Sequence, residues 1–80
     1  MKYEISEYLL NHRDGIKETL AKLATQAKDN PILLSHFHEA VVKEVIMMLT
    51  DALNLNYEEV AEVVEYDFLV ELLGKEFFSL

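Results

Sequence analysis

Eighty residues with no cysteine and a formal net charge of -8 describe one small domain that has neither disulfides nor thiolate metal sites. A chain of this length buries only roughly 60% of its unfolded surface, yet 51% of its residues are hydrophobic. Self-association or a permanent partner is therefore expected, with a homodimer as its simplest form. The charge is also one-sided: residues 1–30 carry five basic and five acidic residues, whereas residues 31–80 carry ten acidic ones against Lys43 and Lys75. Such a field repels nucleic acid and membrane surfaces and attracts basic partners. The first residues, with Lys2, Glu4, Glu7, Arg13 and Asp14, match neither a signal peptide nor an anchor. No stretch reaches the ~18 apolar residues of a membrane span, so a cytoplasmic protein is expected.

Apolar residues recur at helical spacing throughout, strand alternation is absent, and only two glycines and one proline interrupt the chain. The first helix is expected over residues 3–28. Ile5, Leu9, His12, Ile16, Leu20, Leu23 and Ala27 form its inward stripe. Asp14-Gly15 offers a point to break or kink, but the stripe passes it in phase, which favours one continuous helix. Asn30-Pro31 is an N-cap followed by a proline at the first helical position. It opens a second helix over residues 31–53 with an apolar face of Leu34, Phe37, Val41, Val42, Val45, Met48, Leu49 and Ala52. Asn56 caps a third helix whose first turn holds Glu58 and Glu59. In this helix Val60, Ala61, Val63 and Val64 point inward. Asp67 is expected to cap a fourth helix over residues 68–78, with Glu71 and Lys75 as an i,i+4 pair; a single helix through both segments is the alternative. The fold class that results is all-α: a long helical hairpin plus a short C-terminal helical pair, a three- or four-helix bundle in one domain. The apolar end Phe77-Phe78-Ser79-Leu80 is expected to dock on the bundle or on a second subunit.

The candidate partner-binding residues are Glu58, Glu59, Glu62, Glu65 and Asp67. Helical phase places Glu58, Glu62 and Glu65 along one line, with Glu59 beside it and Asp67 just beyond. Like charges at that spacing oppose helix formation by a few tenths of a kcal/mol each. The plain account is a solvated outer face. The functional account is a docking surface for a basic protein, including a nucleic-acid-binding one whose phosphate contacts the carboxylates imitate. Glu58-Glu59-x-x-Glu62 also resembles the E-E-x-x-E element of the helical MazG-like nucleotide pyrophosphohydrolases. That resemblance implies carboxylates holding magnesium at nucleotide phosphates. The second element of that family, E-x-x-D, has no counterpart in this chain, and the magnesium enzyme is kept only as an alternative.

His36 and His38 diverge by about 160° on a helix and make no metal pair. His12 and His38 fall within apolar faces, as core or interface histidines, with a pH-sensitive interface as the alternative. Folding back at residues 29–30 keeps the two apart by roughly 13 Å at 1.5 Å per residue, so they share no metal. Met47, Met48 and Phe37 are expected in the core. Val60, Ala61, Val64 and Tyr66 echo the first half of a helix-turn-helix. The second half instead carries Asp67, Glu71 and Glu76 against Lys75, which duplex DNA repels. No phosphate loop or nucleophile signature is present. The expected function is therefore protein–protein interaction through the acidic face of the third helix, without catalysis, cofactor or metal. The alternative is a structural homo-oligomer whose acidic face is only solvated.

Overall fold

Asn30 and Asn56 start helices as their side-chain chemistry requires. Asn30 Oδ1 accepts from the backbone N–H groups of Ile32 and Leu33, both at 3.1 Å. Asn56 Oδ1 accepts from those of Glu58 at 2.8 Å and Glu59 at 3.4 Å. Each cap satisfies two of the orphan donors at a helix N-terminus. In the computed structural model, which describes residues 1–78, these caps open α3 (Pro31–Ser35) and α5 (Tyr57–Val63). The other helices are α1 (Lys2–Asn11), α2 (Arg13–Lys28), α4 (Phe37–Leu53) and α6 (Tyr66–Leu73), followed by a 3-10 turn over Lys75–Phe78. The described residues contain no strand, so the fold is all-α.

Both long helices of the hairpin are interrupted by a single histidine rather than being continuous. His12 (φ -119°, ψ 26°) separates α1 from α2, and His36 (φ -117°, ψ 25°) separates α3 from α4. These nearly identical values lie near the bridge region of the backbone map. Hydrogen bonding resumes at once: His12 N–H donates to Tyr8 O, and Ile16 N–H to His12 O, both at 3.0 Å. The interruptions are kinks, not turns. Side chains at each kink compete for the backbone carbonyls. His12 Nδ1–H donates to Tyr8 O at 2.8 Å, and Ser35 Oγ donates to Ile32 O at 2.8 Å. Gly15, the expected weak point, lies inside α2, because glycine permits a break without imposing one. The two kinks share a local sequence, Leu9-Leu10-Asn11-His12 and Leu33-Leu34-Ser35-His36.

The third and fourth helices are separate. Val64 (φ -91°, ψ 104°) and Glu65 (φ -121°, ψ 166°) are extended between α5 and α6. Helix α6 thus begins two residues before the start expected from Asp67, because Tyr66 is drawn into it by ring contacts with His38 and Phe78. It ends at Gly74, whose φ of 99° turns the chain away. Glu71 and Lys75 consequently form no ion pair; the helix that would have aligned them stops between them.

Packing brings α2 against α3 and α4, lays α5 and α6 on α4, and sets α1 on α6. Arg13 ties the two ends of this arrangement together, donating from Nη2 to Leu73 O at 2.9 Å. A guanidinium at the last carbonyls of α6 is favourable to the helix dipole. The core is wholly apolar among the described residues. Ile5, Leu9, Ile16, Leu20 and Ala27 of the expected first stripe are buried. Phe37, Val41, Val45 and Leu49 of the second, with Val60, Val64, Leu69 and Leu73, are buried as well. Phe78 is buried too, while Ser79, Leu80 and the side chain of Phe77 lie outside the described residues.

Five expected interior positions are corrected, His38 among them. His12 is at the surface because the kink turns it out. Leu34 is exposed because the kink at His36 takes it off the face of α4. Ala52 and Met47 are exposed on the outer side of α4. Ile46, missing from the expected face, is buried. The pair α5–α6 covers α4 over a wider arc than a single helical stripe.

Candidate functional site

The five candidate carboxylates divide between two helices. Glu58, Glu59 and Glu62 belong to α5, whereas Glu65 is the N-cap residue of α6 and Asp67 lies in its first turn. The straight line expected through Glu58, Glu62 and Glu65 is therefore broken at Val64, where the backbone leaves the helix. All five side chains are exposed, and none forms an ion pair among the described residues. Glu58, Glu59, Glu65 and Asp67 sit at helix N-termini, where the dipole favours negative charge. Glu62 has no such compensation and stands one turn from Glu58. No lysine or arginine occurs from residue 44 to residue 74, so the field of this segment is unrelieved along the chain.

Between α4, α5 and α6 lies a shallow, open groove of about 280 Å³. Val42 and Ile46 of α4 form its floor, Tyr57 of α5 and Tyr66 of α6 its walls, and His38, Glu39 and Lys43 its remaining edge. On α5, Glu58 and Glu62 follow Tyr57 and Ala61 by about 100° of helical phase. Asp67 follows Tyr66 on α6 in the same way. By helical phase these carboxylates fall on the outer flank of α5 and α6 next to the tyrosines, outside the groove's own lining. Sequence reading missed this feature, since Tyr57, Tyr66 and Val42 are close only because α5–α6 lies across α4. The available signal was the pair of tyrosines, each next to a candidate carboxylate.

Both candidate histidines are exposed, which corrects the core half of their assignment. Each is held by stacking on a tyrosine instead. His38 lies 4.0 Å from Tyr66 with ring planes 19° apart, and Tyr66 in turn meets Phe78 at 5.3 Å. His38 thus pins α4 to α6 and, through Tyr66, to the 3-10 turn. His12 stacks on Tyr8 at 4.0 Å and 20°, within its own kink. The two histidines serve different junctions, and His36, exposed at the α3–α4 kink, lines one shallow pocket together with His38. Among the described residues no three histidine, aspartate or glutamate side chains come together to hold a metal ion, and no helix is long and apolar enough to cross a membrane.

The helix-turn-helix echo resolves into α5 and α6 joined by two extended residues. The outward positions of α6 carry Asp67 and Glu71. No family model, no curated protein and no solved structure matches this chain.

Proposed function

We propose that this protein is an acidic interaction module that docks a basic protein partner through α5 and the start of α6. The observation that carries this reading is the exposure of Glu58, Glu59, Glu62, Glu65 and Asp67 without a cation to pair them. Exposed carboxylates without internal partners keep their field for an incoming cation, which speeds encounter and discourages acidic competitors. Proteins that bind nucleic-acid phosphates present the complementary charge and are the partner class favoured. Changing Glu58, Glu62 and Glu65 together to lysine tests the reading. The triple variant is expected to lose capture of a basic protein from host lysate, as read by mass spectrometry. It should also lose binding to that protein once purified, with far-ultraviolet circular dichroism unchanged. Unaltered binding by a folded triple variant would overturn it.

A second reading, a structural homo-oligomer, is supported by the apolar side chains left at the surface. Tyr3 and Ile32 are each 76% exposed, and Leu10, Leu34 and Met47 are close to half exposed. In that reading these residues form the contact between copies, and the carboxylates maintain solubility. Sedimentation of the wild type and an Ile32→Lys variant separates the two. Dissociation caused by Ile32→Lys, with no effect of the glutamate changes on any partner, favours the oligomer.

A further inference from the structure

We infer that the groove between α4, α5 and α6 receives one large apolar side chain from a basic amphipathic helix of the partner, an inference that rests on the acidic docking reading above. The groove's floor of Val42 and Ile46 and its walls of Tyr57 and Tyr66 present carbon and aromatic surface. Its volume of about 280 Å³ lies at the lower edge of the ~300–1,000 Å³ range of small-molecule pockets and leaves room for one large side chain. Among the described residues there is no strand whose edge could pair with an extended peptide, so recognition falls to side chains, as in helix-in-groove binding.

Charge complementarity selects the partner. Glu58, Glu62 and Asp67 are exposed and by helical phase lie on the flank just outside Tyr57 and Tyr66, so lysines or arginines about one turn from the anchoring residue meet carboxylates there. The α4 edge is different: Glu39 and Lys43, one turn apart, offset each other. The bound helix is thereby oriented, with its basic flank over α5–α6 and a neutral or acidic flank over Lys43. Tyr57 is 43% exposed, high for an aromatic wall, and its ring has an uncovered surface for the anchor to fill.

The probe is a synthetic helix of about 18 residues, five turns, with leucines on one face and lysines elsewhere. A peptide of the same composition in scrambled order serves as the control. Binding is followed by titration calorimetry at low salt. Tyr57→Ala, at an exposed position, is expected to weaken the amphipathic helix by about ten-fold or more and to leave the scrambled peptide unaffected. Tyr57→Phe should bind like wild type, and Lys43→Glu should tighten binding. Circular dichroism and thermal melting confirm that each variant is folded. If the triple glutamate change abolishes binding but Tyr57→Ala does not weaken it, the groove is not the anchor site and the acidic docking reading survives alone. If neither change matters, both readings fall. If the protein alone self-associates and Tyr57→Ala dissolves the assembly, a second copy fills the groove and the partner-helix inference is overturned.

Discussion

Helix pairs α1–α2 and α5–α6 are each broken near the middle, and the breaks have opposite consequences. At His12 the backbone departs from helix for one residue and hydrogen bonding continues on either side. The apolar stripe stays in phase, so Ile5, Leu9, Ile16 and Leu20 all reach the core. At Val64 and Glu65 two extended residues intervene, and α6 starts with a new orientation. The pairs differ in charge as well. The first has local ion pairs, the N-terminal amine with Glu4 at 3.7 Å and Lys22 with Glu18 at 3.9 Å. The second has carboxylates only. A kink preserves a continuous inward face, whereas an extended break lets two short helices wrap a neighbour and carry their outward charge to one side. The first pair is arranged for self-consistency, and the second leaves charge uncompensated where a groove opens.

Four pairs of substitutions probe this contrast, beginning with the largest effect. Leu20→Ala in α2 and Leu69→Ala in α6 both empty fully buried positions. Each is expected to cost about 2–5 kcal/mol, a large part of the ~5–15 kcal/mol that holds a domain together. Because α2, α4 and α6 share one core, each variant should still unfold in a single denaturant transition. Two transitions would mean that the halves are independent and the comparison is one between separate units.

Gly74→Ala and Gly15→Ala are the same change with opposite expected signs. At Gly74 the φ of 99° is strained for any L side chain, and an added Cβ would lie 2.7 Å from the Glu76 carboxylate. A loss of about 1–3 kcal/mol is expected. At Gly15, inside α2, nothing lies within 4 Å of an added Cβ, and a gain of about 0.4–1 kcal/mol is expected. Thermal melts of both variants read the signs directly. A loss at Gly15 would show that α2 needs backbone freedom there after all.

Asn30→Ala and Asn56→Ala each remove a cap that accepts from two backbone donors. Each should lower stability by about 1 kcal/mol in urea titrations. A larger loss at Asn56 would indicate that α5 depends on its cap more than on its packing.

The smallest effects are electrostatic. Lys22→Glu puts like charges at i,i+4 with Glu18 in the balanced pair, and Glu62→Lys removes such a repulsion from Glu58 in the acidic pair. The first should lower and the second raise the melting temperature, by no more than the few tenths of a kcal/mol usual for such neighbours. Both shifts should shrink as salt screens them. Equal signs for the two would remove the electrostatic part of the contrast.

Much of the helix plan was legible from local chemistry. Asn30-Pro31 and Asn56 mark helix starts because a short side-chain acceptor and a fixed φ act within one turn, whatever lies around them. The kinks were harder to see. His12 and His36 each follow Leu-Leu and a short polar residue, but four residues do not announce a bend until their side chains are found bonding to the preceding turn. Two candidate site features also escaped the sequence. One was the division of the carboxylates at Val64, since valine there fits a helix as well as an extended link. The other was the groove, whose residues come from three helices.

What the sequence determined by itself is what depends on short range and on composition: the all-α class, the two asparagine caps, most of the inward stripe, and a charge concentrated after residue 31. Periodicity and capping act over a few residues and are readable one turn at a time. Tertiary structure alone decided where the long helices kink, where α6 begins, that His12 and His38 stack on tyrosines at the surface, and that Tyr57 and Tyr66 face Val42 and Ile46 across an open groove. Those outcomes depend on which helix lies against α4 and at what register, a choice made by the packing of side chains distant in the chain.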